Sequence, residues 1–224
     1  YSTLCIWKSR IMIKKILFGS KDKMKSAYLW NTCAAMLNAF QTVFILMLIS
    51  RIDPVIDAGV FTIAFAIGNL MMAIGKYGIR QFQVSDVEEK YSFKEYTVAR
   101  IITSIIMIVA SFVYVGVNLA SGLYNSSKSI VIILICLAKV IDAVEDVIHG
   151  MFQQYLRLDV AGKILSIRMC TYIFVYLVCY YFSKNLILTS AVALLVSFIQ
   201  FVILNYTAIR GFEIKKKTCV NIYF

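Results

Sequence analysis

Proline is almost missing from this chain: Pro54 is the single one in 224 residues. It falls in "SRIDPVID" between two apolar runs, where it marks a tight turn, and no other run has a proline to break it. Nucleotide and hydrolase motifs are missing too. There is no Walker A loop, no Gly-rich nucleotide loop, no H-E-x-x-H and no G-x-S-x-G. An ATP site is thereby excluded, so a carrier of this sequence would run on a gradient or on cargo flow. The six cysteines form no C-x-x-C and no metal-ligand spacing, and four of them lie inside apolar runs. They read as small apolar residues without a disulfide framework. Neither a metal nor a cofactor is expected.

Charge is scarce as well. Charged residues make up 16% of the chain and hydrophobic ones 61%, with mean hydropathy +0.80. A soluble domain carries roughly 25% charged residues, so the balance points to a membrane. The net charge of +11 does not imply nucleic acid, because the basic residues sit in the gaps between apolar runs and form no single face. Membrane lipids are the expected partners.

Six apolar runs follow one another: Ala27–Ser50, Ala58–Ile74, Ala99–Leu119, Ser129–Phe152, Ile164–Phe182 and Leu186–Ile209. Each is long enough to cross about 30 Å of hydrocarbon as a helix. Strand-like alternation is absent, so a β-barrel does not fit. The expected fold is all-α and polytopic, with residues 1–25 a basic N-terminal cytoplasmic or interfacial segment, 26–210 the six-helix lobe and 211–224 a basic cytoplasmic tail. The opening residues lack a clean signal peptide. Cys5–Phe18 reads either as a basic amphipathic helix in the interface or as sequence upstream of a start at Met24. Of the 23 Lys and Arg residues, nineteen fall on one side of the runs and three on the other; Lys139 lies inside a run. The positive-inside rule then puts both termini in the cytoplasm.

The fourth run turns polar in "KVIDAVEDVIHGMFQQ". At 100° per residue, Lys139, Asp142, Glu145, Asp146, His149 and Gln153 share about one third of the helix circumference. Each charge at mid-bilayer costs about 2.5–3.5 kcal/mol, so this stripe must face other helices or water. Lys139 can pair with Asp142 at i+3, and Arg168 can serve the remaining acids unless they are protonated. Two readings stand: buried pairs that lock helices together, or a polar cavity for a hydrophilic or ionic cargo. His149 is a proton relay or a structural histidine. Asn31, Asn38 and Gln41 in the first run fit interhelical hydrogen bonds as well as cargo contact. Arg80 ends the second run, where a guanidinium can hold a phosphate; the gap Gly78–Tyr96 around it reads as a short surface helix.

Two stretches carry a family likeness. "SAYLWNTCAAMLNAFQTVFILMLISRIDPVIDAGVFTIAFAIGNLMMAIGKYGIRQFQVSD" (Ser26–Asp86) resembles the opening of bacterial polysaccharide flippases of the Wzx type, within the multidrug/oligosaccharidyl-lipid/polysaccharide exporter superfamily. "DAVEDVIHGMFQQYLRLDVAGK" (Asp142–Lys163) resembles that family's fourth span and following loop. The likeness implies one six-helix lobe of a two-lobe carrier in the bacterial cytoplasmic membrane. The cargo implied is a polyprenyl-diphosphate-linked oligosaccharide for polysaccharide, capsule or O-antigen synthesis. Arg80, Lys139 and Arg168 take the diphosphate positions, with Asn31, Asn38 and Gln41 beside the sugar. Asp142, Glu145, Asp146 and His149 are left for ion or proton coupling or for cavity pairing. Six spans are half of the family's twelve or more, so a second lobe or another copy is expected as partner. The alternatives are an ion-coupled exporter of drugs or metabolites, an intramembrane enzyme using Asp142 and Asp146 on lipid-linked sugars, and an interaction remnant without transport.

Overall fold

In a computed structural model, residues 17–20, 22–53 and 56–220 are described, with side chains to residue 212. Seven helices follow in order: α1 (Lys23–Ile52), α2 (Ile56–Lys76), α3 (Ile79–Ser85), α4 (Phe93–Ala120), α5 (Ser126–Gln154), α6 (Leu158–Ser183) and α7 (Leu186–Val220). No strand occurs among the described residues. The chain is an all-α, polytopic membrane protein. Most of Cys5–Phe18, and Pro54 itself, lie outside the described residues.

Local chemistry sets the ends of the helices. Asp22 caps α1 by accepting from the Lys25 N–H at 3.1 Å, and Asp53 accepts from the Ile56 N–H at 3.0 Å as α2 begins. Ser92 and Glu95 form a reciprocal capping box at α4. Between α2 and α3 the backbone enters the left-handed region twice, at Tyr77 (φ 35°) and Gly78 (φ 66°). These two residues separate the short α3 from α2. Its Gln83 is fully buried against α5, so the gap is more than a surface helix. The last helix does not stop at the expected boundary near residue 210; its backbone stays helical to Val220.

Five helical stretches are long and apolar enough to cross a membrane: Lys23–Ile52, Ile56–Ser85, Phe93–Ala120, Leu158–Ser183 and Leu186–Phe212. The expected count of six is corrected to five on this measure. The fourth run became α5, whose 29 residues give ample length but whose charged residues remove it from the apolar set. Its surroundings explain how it tolerates them. Seventeen of its residues are buried, against four of the 30 in α1, and it packs on α2, α3, α4, α6 and α7. The most charged helix is therefore the best enclosed. Outer helices show the opposite pattern: on α4, Ile101, Ile102, Ile105, Ile106, Val109, Phe112 and Val113 are all exposed, a face that suits hydrocarbon and not water.

Two apolar clusters fill the interior. One joins α1, α2, α4, α5, α6 and α7 and reaches α5 as far as Ala143. The other starts on α5 at Val147 and includes Phe152, Val160, Ile164, Leu204 and Ala208, with Leu17 and Phe18. Residues 144–146 lie between them, so the acids Glu145 and Asp146 sit at the seam. α1 is held mainly by α6, at a close approach centred on Gly162. A Cβ there would stand 2.9 Å from the Asn31 backbone nitrogen and 3.0 Å from the Trp30 carbonyl carbon.

Gly162→Ala decides between two effects. Helix propensity favours Ala by about 1 kcal/mol, but a clash with backbone cannot be relieved by a rotamer and costs about 1–3 kcal/mol. The variant is expected to melt at lower temperature in detergent than the parent; a higher melting temperature would show that α1 yields freely.

The 86–92 loop gives a second test. The Tyr96 hydroxyl donates to Asp86 at 2.6 Å, and the Tyr91 and Lys90 N–H groups donate at 3.0 Å each. These bonds hold the Asp86 carboxyl below its ordinary value, the tyrosine bond first. A lowered folded-state pKa means the contribution is complete above the ordinary Asp range and is lost as pH falls through the folded value. The protection factors of the Lys90 and Tyr91 amides, taken against the intrinsic exchange rate at each pH, are therefore expected to hold down to about pH 4 and to fall below it. Asp86→Ala is expected to expose both amides at every pH.

Candidate functional site: a charged seam in an apolar bundle

α5 presents its stripe inward, and the neighbouring helices answer it with cations. Asp146 is held from two sides. Arg100 of α4 places Nη2 2.9 Å from one carboxylate oxygen, and Arg80 of α3 places Nη1 3.2 Å from the other. Arg100 is fully buried. Its Nη1 also donates to the Gly75 and Lys76 carbonyls at 2.7 and 2.8 Å, which are C-terminal groups of α2 without a helical partner. Arg80 donates further to Gln153 Oε1, from Nε at 3.2 Å and from Nη2 at 2.9 Å.

One helical turn away, Arg168 of α6 reaches Asp142 with a short contact and Glu145 at 2.8 Å. Lys139 completes this group, with Nζ 3.5 Å from Asp142 and 4.3 Å from the centre of the Phe65 ring. Glu145 Oε1 accepts from Asn205 of α7 at 2.8 Å, and His149 Nε2 lies 3.9 Å from Glu145 Oε2. Several buried polar atoms in this inner group make no hydrogen bond: Glu145 Oε2, His149 Nε2, Arg168 Nε and Asn205 Oδ1. The Arg168–Glu145 contact is therefore charge against charge, not an aligned bond.

The predicted residues thus divide. Lys139, Asp142, Glu145, Asp146, His149, Arg168 and Arg80 are all brought to one seam. Gln41 joins it, buried, on the wall of a small void with Lys139, Asp142 and Arg168. Asn31 and Asn38 do not. Asn31 donates to the Ala27 and Leu158 carbonyls at 2.7 and 3.0 Å, tying α1 to the start of α6. Asn38 is exposed on α1. Arg100 was missed: sequence places it among the cations of a polar gap. The available signal was its position eight residues after the Ser92 cap, about 12 Å into a helix.

Space is unevenly distributed along the seam. The void at Lys139, Asp142 and Arg168 measures about 10 Å³, room for about one water. At the end where α2 gives way to α3, a cavity of about 540 Å³ opens, lined by Lys76, Arg80, Gln81, Val84, Ser85, Asp146 and Gln153. No family model, curated protein or solved structure matches the chain. Its chemistry is therefore read from the seam itself. Four cations (Arg80, Arg100, Lys139, Arg168) face three carboxylates, and Lys76 adds a fifth positive charge at the cavity wall. The wide end carries a surplus of positive charge, and paired charges fill the narrow end. Among the described residues no group of three or more His, Cys, Asp and Glu could hold a metal ion.

Removing one partner from a buried ion pair costs about 3–5 kcal/mol, whereas exposed pairs contribute about 0–1 kcal/mol. The Arg168 side chain is 2% exposed and that of Arg80 27%. Arg168→Met is expected to lower the melting temperature far more than Arg80→Met, and adding Glu145→Gln to Arg168→Met is expected to recover part of the loss. Equal effects of the two single variants would remove the distinction between a buried lock and an accessible arginine.

Proposed function

We propose that this chain is a lobe of a carrier that flips a polyprenyl-diphosphate-linked oligosaccharide across a bacterial cytoplasmic membrane, for polysaccharide, capsule or O-antigen synthesis. The observation that carries the reading is the cation excess around the 540 Å³ cavity at one end of the apolar bundle. A diphosphate is the anionic part of such a cargo, and Arg80 with Lys76 is placed to receive it. The geometry allows Arg80 to change partners cheaply. When its guanidinium turns to a phosphate, Asp146 keeps Arg100 at 2.9 Å and is not left as a bare buried charge. Gln153 and Gln81 offer hydrogen bonds to sugar hydroxyls at the same cavity. Lys139 and Arg168, carried over from the resemblance as diphosphate positions, here hold carboxylates beside a void too small for a phosphate. Their role in this arrangement is to keep the seam closed. Both termini are proposed to lie on the cytoplasmic side, the side of the basic end and of this cavity. A second lobe or another copy of the chain is proposed to complete the passage.

A second reading, an ion-coupled exporter, is favoured by the unpaired atoms of Glu145 and His149, which form a ready site for a proton. Reading the chain as an enzyme finds less support, since Asp142 and Asp146 are each held by two cations.

Reconstituted chain is expected to bind a polyprenyl diphosphate at least tenfold more tightly than the matching neutral polyprenol, the scale of one charge-assisted contact of about 1.4–3 kcal/mol. Lys76→Ala combined with Arg80→Ala is expected to erase that preference. Equal binding of charged and neutral lipids by the parent chain would overturn the assignment. Cargo-dependent proton release that disappears in Glu145→Gln, without diphosphate preference, would favour the exporter.

A further inference from the structure

A second cavity, of about 390 Å³, lies on the other side of α3. Tyr77, Gly78, Ile79 and Phe82 form one wall, and Tyr91, Glu95, Tyr96 and Ala99 the other. It takes no part in the seam. Its lining is mostly apolar, and two of its four polar side chains are already engaged. The Tyr96 hydroxyl donates to Asp86. The Glu95 carboxylate accepts from the Ser92 N–H at 2.6 Å and from the Ser92 hydroxyl at 2.8 Å. Apart from the Tyr77 and Tyr91 hydroxyls, what remains is ring faces, methyl groups and methylenes. Phe82, Tyr91 and Tyr96 stack as a three-ring cluster with centroids 6.0–6.3 Å apart. An occupant is therefore hydrocarbon where it touches this wall.

Its setting says which hydrocarbon. The pocket lies between the end of one membrane-spanning stretch, Ile56–Ser85, and the start of the next, Phe93–Ala120. Three of its wall residues are tyrosines, the residue type that gathers at the membrane–water boundary. Lys76 and Arg80 directly flank the wall segment Tyr77–Ile79 and face the adjoining polar cavity. The slot's one lining carboxylate, Glu95, is tied into the Ser92 cap, and the cations next in sequence to its Tyr77–Ile79 wall suit an amphiphile with a negative head. We propose that this pocket holds one acyl chain of an anionic bilayer phospholipid, whose headgroup phosphate is drawn to Lys76. The lipid is a resident of the membrane and not the cargo. By filling the space between α3 and α4 it supports the element that carries Arg80.

The proposal is tested with the whole chain in phosphatidylcholine vesicles, Trp7 and Trp30 replaced by Phe, and Tyr91→Trp as the reporter. Chain-brominated phosphatidylglycerol or chain-brominated phosphatidylcholine is then titrated in. One lysine near an anionic surface is worth about fivefold in binding. Quenching by the brominated phosphatidylglycerol is expected to saturate at about one fifth of the mole fraction needed with brominated phosphatidylcholine. Ala99→Phe, which fills the slot, is expected to return the curve to the shallow one, and Lys76→Gln to abolish the headgroup preference while leaving the slot open. Identical curves for the two lipids overturn the proposal, as does a steep curve that survives Lys76→Gln. Because no lipid-linked diphosphate is present, a failure here leaves the cargo assignment untouched, and a failure of diphosphate binding leaves this pocket untouched.

Discussion

A carboxylate inside an apolar bundle persists in its charged form only if cations come to it, and here they come from four different helices. Asp146 is gripped by Arg80 of α3 and Arg100 of α4. Asp142 is shared by Lys139 of its own helix and Arg168 of α6. The arrangement of the rest follows from this compensation. α5 has to be central, because at the periphery its charges would meet hydrocarbon at a cost of several kcal/mol each. α3 continues along α5 beyond the end of α2, after the left-handed step at Tyr77 and Gly78, and so brings Arg80 to Asp146 and Gln153. α4 brings in Arg100, whose second role is to satisfy the carbonyls that α2 leaves open at its C-terminus.

The same seam has two regimes. Around Lys139, Asp142 and Arg168 the side chains nearly fill the space, and charge there acts as a lock between α5 and α6. Around Arg80 and Lys76 the space is wide, and charge there is available to something outside the bundle. A closely packed charge cluster and an open cavity thus share one helix, about 10 Å apart between Lys139 and Asp146. The unpaired atoms of Glu145 and His149 lie between the two, where a proton or a water would be felt by both.

α3 is the element that links these features. One side of it faces the polar cavity with Arg80, Gln81 and Ser85, and the other faces the aromatic slot with Ile79 and Phe82. It is anchored by Gln83, whose amide, with nitrogen toward the Val147 carbonyl (3.2 Å) and oxygen toward the Met151 N–H (3.1 Å), reaches the α5 backbone. Gly150 leaves room for that amide, since a Cβ there would collide with it. Polar cavity, aromatic slot and bundle core therefore meet on these seven residues.

Hydropathy alone determined that the chain is helical and membrane-embedded, where its long runs lie, and that the stripe from Lys139 to Gln153 must turn inward. Those conclusions need only the helical period and the cost of charge in hydrocarbon, both local or solvent properties. Boundaries were less legible: α1 begins before Ala27 and α7 runs past Ile209, since helices continue through polar residues once the end of a span is passed. Which cation meets which acid was decided by tertiary structure. Nothing local marked Arg100 as a partner of Asp146, and of the two readings open for Asn31 the structure shows the interhelical one, a bond from α1 to α6. Pairings between helices depend on which faces pack and how closely, and that is set by contacts such as Gly162 against Asn31, separated by more than a hundred residues in sequence.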